Sequence, residues 1–314
     1  MTMKKLLTFI SLSFLISCCK EKSNECATPP ICDCQELGEG PLNGWTYLID
    51  SNYYMYPCFN PNNSDEIIFT KKNNATDVTK LYKYNLQTHE KSLIHEGYQI
   101  FPPSWGKNDW ILLNLYGRSV WKIKSDGTEL TQLTNTFNDL YPIWRSDCSI
   151  FSAHRGAFTD ILQKTILYTP DGIPFDTLQN TGLGSNSDWR EDGLSCSMGD
   201  YGPRVSDISN DVVVFFDSAQ YSGSGGSTWL NVNEFIWSYE KGIYKTNYLT
   251  GVKNLIKPTC RTRLYFDPTY SSNVNKIIWA RVDLKQLNDF EIEVKSRLFM
   301  MNPDGSDETE IIIE

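Results

Sequence analysis

Val120-Trp121-Lys122-Ile123-Lys124-Ser125-Asp126-Gly127-Thr128-Glu129-Leu130-Thr131-Gln132-Leu133-Thr134 alternates apolar and polar residues on both sides of an Asp-Gly step. Alternation with a period of two marks a half-buried strand, and Asp-Gly supplies the positive φ of a tight hairpin. Related stretches occur at 81–94, 167–178, 243–256 and 298–311, with Asp-Gly or Thr-Gly at most of the turns. An aromatic stands second in each, at Tyr82, Trp121, Tyr168, Tyr244 and Phe299. Successive aromatics are separated by 39, 47, 76 and 55 residues, and the 76-residue gap fits two repeats.

A second pattern fills the spaces between these hairpins. It reads Pro103-Ser104-Trp105 and Pro142-Ile143-Trp144-Arg145-Ser146-Asp147, then Ser187-Asp188-Trp189-Arg190-Glu191-Asp192-Gly193, each followed by an apolar run. Weaker copies start at Pro57 and Pro268. A short strand ending in an aromatic, a polar turn and an apolar strand, joined to the first hairpin, make four antiparallel strands per unit. A recurring unit of about 40 residues with this content is a propeller blade.

The two patterns resemble the WD-like repeats of the TolB propeller family, in which P-x-W-S-P-D-G precedes an apolar strand and an I-Y-x-x-D-x-x-G hairpin. The match is good at Pro142–Asp147 and over 120–134, partial at Pro57 and Pro268, and nearly absent over 194–242. The resemblance covers 46–314 and implies an all-β fold, a six-bladed β-propeller of four-stranded antiparallel blades. The blades are expected at 46–97, 98–137, 138–183, 184–218, 219–258 and 259–314. TolB carries an N-terminal α/β domain that residues 19–45 are too few to form, so its role in the envelope does not carry over. Trp105, Trp144 and Trp189 are expected to pack between blades.

The first 17 residues read as an export signal. Lys4 and Lys5 precede an apolar run over 6–16 that is too short to span a bilayer, which takes about 20 residues. The run ends Leu15-Ile16-Ser17-Cys18, which resembles the bacterial lipobox. The resemblance implies cleavage between Ser17 and Cys18, acylation of Cys18, and a lipid anchor in the cell envelope. The outer membrane is the expected address, with the chain periplasmic or surface-exposed. Residues 18–45 are polar, rich in Pro and Gly, and aperiodic, as a flexible tether would be. The expected domains are therefore 1–17 signal peptide, 18–45 tether and 46–314 propeller.

An oxidising compartment suits disulfides. Cys19, Cys26, Cys32 and Cys34 lie in the tether, and Cys58, Cys148, Cys196 and Cys260 in the body. Disulfides or free thiols are expected in the tether, because its spacing is not that of a zinc knuckle. Closing the ring places blade 1 beside blade 6, so Cys58 and Cys260 form a candidate disulfide. Cys148 and Cys196 read as small buried hydrophobes.

Composition narrows the chemistry. Of 314 residues, 29 are Lys or Arg and 38 are Asp or Glu, a net charge of −9. Loss of Lys4 and Lys5 with the signal takes it to −11. Such a balance argues against nucleic acid as a partner, since phosphate contacts need clustered cations. A mean hydropathy of −0.39 is too low for a multi-span membrane protein. The three histidines, His89, His95 and His154, have no ligand-spaced partners, and no nucleophile elbow or P-loop occurs. No metal, cofactor or catalytic set is expected. The stretch Ser222 to Trp229 resembles the Asp-box of sialidases, but Ser224 stands where the aspartate belongs, so it reads as a Gly/Ser loop.

Function on propellers sits in loops carried by the rigid ring. The expected rim comprises Tyr98, Phe101, Tyr141, Arg145, Arg190 and Tyr265, aromatics with arginine that suit a protein, peptide or glycan ligand. The leading expectation is a lipid-anchored binding or scaffolding module. A glycan-active enzyme, sialidase-like or a lyase, working at the channel mouth is the alternative. An accessory lipoprotein of a larger uptake or secretion complex is a third.

Overall fold

The computed structural model describes residue 37 and residues 44–98, 100, 102–115, 119–136, 138–156, 164–179, 187–199, 202–217, 225–239, 242–260 and 262–313. A lone strand, Thr46–Ile49 (β1), precedes six sheets. Blade 1 is built from Tyr53–Phe59 (β2), Glu66–Asn73 (β3), Val78–Asn85 (β4) and Lys91–Tyr98 (β5). Blade 2 holds Ser104–Trp105 (β6), Trp110–Leu115 (β7), Ser119–Lys124 (β8) and Thr131–Gln132 (β9). Blade 3 holds Asp139–Trp144 (β10), Phe151–Arg155 (β11), Lys164–Tyr168 (β12) and Pro174–Leu178 (β13). In blade 4 the strands are Asp188–Trp189 (β14), Leu194–Gly199 (β15), Gly202–Asp207 (β16) and Val212–Phe216 (β17). Blade 5 follows with Ser227–Trp229 (β18), Glu234–Tyr239 (β19), Gly242–Asn247 (β20) and Lys253–Pro258 (β21). Blade 6 contains Arg263–Ser271 (β22), Lys276–Gln286 (β23), Glu291–Met301 (β24) and Thr309–Ile311 (β25). Within each blade successive strands pair antiparallel in chain order.

Burial changes from strand to strand as a propeller requires. The second strands are covered on both faces by neighbouring blades, so consecutive residues are buried: Ile67, Ile68, Phe69 and Thr70 in β3, and Ile277 to Ala280 in β23. Outermost strands face solvent, and Lys91, Ser92 and Leu93 of β5 are exposed. The principal apolar clusters straddle blade boundaries. Ile68, Leu81 and Ile94 meet Trp105, Ile111 and Ile123 between blades 1 and 2. Phe69 and Tyr84 meet Ile278 and Leu298 between blades 1 and 6, which closes the ring. Trp105, Trp144, Trp189 and Trp229 are all buried against the preceding blade. The indole of Trp144 also donates to the Trp110 carbonyl at 3.1 Å. The repeat tryptophans are inter-blade packing residues, as the pattern implied.

Closure has a second part. β1 pairs in parallel with the start of β24, Thr46 opposite Glu291 and Ile49 opposite Val294. The chain then turns into β2, so its first strand belongs to blade 6 and its second to blade 1. Leu37 and Trp45, from the expected tether, pack with Tyr47 against Val282, Ile292 and Val294 of the long β23–β24 hairpin. Tyr84 adds a hydroxyl bond to the Ile312 carbonyl at 2.8 Å, tying blade 1 to the last residues of blade 6.

Two sequence readings need correction here. Ser227–Trp229 is the innermost strand of blade 5 and not a loop between strands, with Trp229 taking the role of the repeat tryptophan. Only the glycines Gly225 and Gly226 before it are described from the loop portion. Tyr168 is also displaced relative to its counterparts. Tyr82 and Trp121 pair with residues two beyond the partner of the innermost-strand aromatic, whereas Tyr168 pairs with Phe151, which is itself the partner of Trp144. Asp171-Gly172 therefore follows its aromatic more closely than Asp126-Gly127 does, and matching the aromatics alone misaligned the third copy.

Candidate functional site

The six innermost strands surround one channel, a cavity of about 540 Å3 lined by residues from β2, β6, β10, β14, β18 and β22. All six run the same way, so the channel has a leading end where they begin and a trailing end where they finish. Three of them share a local device. Tyr56-Pro57-Cys58-Phe59, Tyr141-Pro142-Ile143-Trp144 and Asp267-Pro268-Thr269-Tyr270 have one plan, a residue before proline and an aromatic three positions on. In each the register to the second strand breaks at the proline, between Met55 and Cys58, Leu140 and Ile143, and Phe266 and Thr269. The residue before proline is left-handed in all three, with φ of 53° at Tyr56, 51° at Tyr141 and 54° at Asp267. A bulge of this kind re-aims a side chain. Here it turns two tyrosines and an aspartate onto the channel wall. Left-handed backbone costs a bulky residue about 1–2 kcal/mol, which the surrounding packing has to offset.

The leading end is phenolic. Burial first, then the negative charge of Asp267, pushes the hydroxyl of Tyr56 well above its ordinary range, with Tyr141 and Tyr53 adding to the effect. Tyr53 is raised by burial and by the same carboxylate. These hydroxyls stay protonated and serve as neutral donors and acceptors. Tyr141 is held from behind: its amide donates to Asn114 Oδ1 at 2.9 Å, and its ring meets His154 edge-on at 6.5 Å. His154 is buried with no hydrogen-bond partner for either ring nitrogen among the described residues, and burial, helped by Arg204, lowers its pKa to about 4. Asp139, completely buried one residue ahead of Leu140, accepts from Arg155 Nε at 2.8 Å and from the Tyr168 hydroxyl at 2.8 Å, fixing this end of blade 3.

Halfway along, Asp188 faces the channel and bridges blades 4 and 5. Its Oδ2 accepts from the Trp229 amide at 3.0 Å and from Thr228 Oγ1 at 3.1 Å. Burial raises its pKa against the pull of those bonds. Ser146 N donates to the Trp189 carbonyl at 2.9 Å, and Trp144 N to Ser104 Oγ at 3.0 Å, so neighbouring innermost strands are laced together by polar bonds.

The predicted rim does not form as one surface. Tyr141 stands at the leading end and Arg145 four residues on, just past the end of β10 at the trailing end, about 13 Å of extended chain away. Arg145 is committed to Asp147, through Nε at 2.9 Å and Nη2 at 2.7 Å, and this pairing holds the Asp147 carboxyl well below the usual range. Arg190 pairs with Asp192, donates to the Val232 carbonyl at 2.7 Å and lies 4.4 Å from the centre of the Trp229 ring. Both arginines brace trailing-end turns. Tyr265 is 4% exposed and packs against Trp279 between blades 5 and 6. Tyr98 is exposed, but it ends the outermost strand of blade 1, on the perimeter and away from the channel. Phe101 lies outside the described residues, as do Ser17 and Cys18.

The candidate disulfide is also corrected. Cys58 carries a free thiol, which burial pushes up to about 11. Cys260 is disulfide-bonded, but not to Cys58. Cys58 lies within β2, past the bulge that follows Met55, whereas Cys260 stands before β22 begins, so the two face different parts of the ring. Cys148 and Cys196 are buried free thiols, as expected.

Tyr56 and Asp267 were missed because the repeat was read from its proline onward. The recurring position immediately before that proline was the available signal. Among the described residues no group of three or more His, Cys, Asp or Glu converges to hold a metal ion.

No protein-family model and no curated protein matches the sequence. Solved structures do match in fold. A TolB from Agrobacterium tumefaciens superposes with a TM-score of 0.54 at 13% identity, over 74% of this chain and 88% of that one. A chain from a nidogen–laminin complex gives 0.53 at 11% identity, over 78% and 85%. The β-propeller domain of a trilobed protease from Pyrococcus furiosus, described as having an open velcro topology, gives 0.50 at 13% identity, over 82% and 80%. At these identities the likeness is one of architecture: the chain is a six-bladed propeller, a fold it shares with TolB.

Proposed function

We propose that this chain is a lipid-anchored protein of the bacterial envelope whose propeller binds a protein or peptide at the leading end of its channel, without catalysis. The observation that carries the binding reading is the convergence of Tyr56, Tyr141 and Asp267 on one cavity through the same strained bulge in three separate blades. Strain repeated at equivalent positions points to a selected surface. Protonated phenols on a rigid ring are good contact residues, since a tyrosine offers a large face and one polar tip with little entropy to lose. The anchor rests on Leu15-Ile16-Ser17-Cys18, and the domain plan of signal, tether and propeller follows from it. The nidogen–laminin likeness supports a protein-binding use of the fold.

Capture from detergent-solubilised membranes tests the reading. The wild-type chain is expected to retain a stoichiometric partner that Tyr56→Ala and Tyr141→Ala lose, with both variants still folded by circular dichroism. Retention by both variants would remove the channel mouth from the interface. Cleavage of a labelled glycan by the purified chain would replace the binding reading with the enzyme. Metabolic labelling with palmitate tests the anchor, with incorporation expected in wild type and none in Cys18→Ser.

A further inference from the structure

An outermost strand presents a row of backbone N–H and C=O groups that another chain can pair with, unless charge, proline or shortness blunts the edge. Five of the six outermost strands are blunted. β9 and β25 are two and three residues long, β5 carries Lys91 and Glu96, β13 carries Pro174 and Asp176, and β21 carries Lys253, Lys257 and Pro258. β17 is the exception, Val212-Val213-Val214-Phe215-Phe216 with no charge and no proline. Val212, Val213, Val214 and Phe216 are exposed by 49, 38, 48 and 47%, and among the described residues β17 pairs with β16 alone. Its bulge at Val214 does not set it apart, since β5, β13 and β21 break register at the equivalent step.

The strand lies along the perimeter. Successive strands of a sheet rotate by about 20–25°, so the fourth stands about 60–75° from the first and runs round the ring more than along the channel. Its ends agree. The Gln179 amide, just past β13, donates to Asp211 Oδ2 at 2.7 Å, and Lys253 Nζ, at the start of β21, donates to Asp217 Oδ2 at 2.7 Å. β13, β17 and β21 therefore follow one another round the rim.

We propose that two copies of this chain pair through β17, antiparallel and edge to edge, joining their blade 4 sheets into one across a two-fold axis. A register centred on Val214 sets Val212 against Phe216 and Val213 against Phe215 of the second copy, so every cross-strand pair over 212–216 is apolar with apolar. The same operation on β5, β13 or β21 would bring Lys, Glu, Asp or Pro into the contact. Asp211 then stands opposite Asp217, whose charge is already engaged by Lys253. The two-fold is normal to the sheet, and for a strand running round the rim that direction lies close to the channel axis. Both copies accordingly turn their leading ends to the same side and leave both channel mouths open. Two copies resting on one membrane surface can pair so without inverting either. Five residues give an edge about 17 Å long, and such a contact buries less than the total of about 1,200 Å2 at which stable interfaces begin, so the pairing is reversible and depends on concentration.

Sedimentation equilibrium of the full chain, in detergent matched to the solvent density, tests this over the micromolar range. The mass is expected to rise from one chain toward two. Val214→Lys, at a half-exposed position, is expected to keep the wild-type Tm and to weaken pairing by about tenfold or more, because it sets two lysines opposite each other. Leu93→Lys, equally exposed on the outermost strand of blade 1, is expected to pair as wild type does. A single-chain mass at every concentration, an unaltered dimer in Val214→Lys, or an equal loss in Leu93→Lys would overturn the proposal. Should Val214→Lys fail to fold, hydrogen exchange of the wild-type amides over 212–216 still decides: slowing with concentration supports the pairing, and no change overturns it.

Discussion

Gly172→Ala isolates what the Asp-Gly turn does in this fold. Gly172 has φ of +82°, and a Cβ built on it would lie 2.2 Å from the Leu133 carbonyl oxygen and 2.8 Å from its carbon. Leu133 ends the outermost hairpin of blade 2, so the turn of blade 3 rests directly on its neighbour's backbone. The same approach recurs at Gly127 toward the Ile94 oxygen, 2.9 Å, and at Gly305 toward the Ile256 oxygen, 2.2 Å. Gly251 in blade 5 provides the control, with φ of +71° and nothing within 4 Å of its virtual Cβ. Alanine at Gly251 should cost only the left-handed backbone, about 1–2 kcal/mol. At Gly172 a backbone collision is added, and relieving it shifts two blades apart at about 1–3 kcal/mol more. The expected totals are about 1–2 kcal/mol for Gly251→Ala and about 2–5 kcal/mol for Gly172→Ala. For a domain of this size that is roughly 5–15 °C in Tm for Gly172→Ala. Urea unfolding followed by tryptophan fluorescence measures both, because the repeat tryptophans lie in the interfaces that would loosen. Equal losses in the two variants would refute the reasoning, since φ alone would then account for the glycine.

Further outcomes follow from the same geometry. His154 is neutral in the fold with its pKa lowered to about 4, against about 6.5 when unfolded. Its contribution is complete above pH 6.5 and is lost as pH falls toward 4, by about 3 kcal/mol, because the unfolded chain takes up the proton first. His154→Leu should flatten that part of the stability-versus-pH curve, and an unaltered slope would assign the acid sensitivity elsewhere. Asp139→Ala leaves the Tyr168 hydroxyl without its buried acceptor and should cost about 1–3 kcal/mol by thermal unfolding, with little change for Arg145→Ala, whose pair is more exposed. Cys58, Cys148 and Cys196 should resist iodoacetamide at pH 8 until the chain is unfolded, since burial raises all three thiols. Rapid labelling of the native protein at any of them would show that its blade opens.

Strand order within a blade and the packing role of the tryptophans were legible in the sequence because each depends on local chemistry, whereas the count of six blades came from the resemblance to a known repeat. Alternation defines a strand, Asp-Gly defines a turn, and a unit that cannot cover its own faces must stack. Blade 5 hid its innermost strand because Ser227-Thr228-Trp229 follows glycines and has no proline before it, so only the position of Trp229 against Phe235 and Cys196 revealed it. Arg145 and Arg190 looked like rim residues because each follows a tryptophan. Strand direction puts them at the trailing end, where Asp147 and Asp192 two residues on already engage them.

The channel mouth shows the division most plainly. Residue types and the X-Pro step before the aromatic were determined by sequence alone, in Tyr56, Tyr141 and Asp267. Their meeting was decided only by the closed ring, since they are drawn from blades 1, 3 and 6. The state of the cysteines divides the same way. Sequence counts them, but which thiols remain free depends on distances between residues about two hundred positions apart. Those distances are set by the number of blades, the direction of each innermost strand, and the placement of β1 on β24, none of which acts through neighbours in the chain.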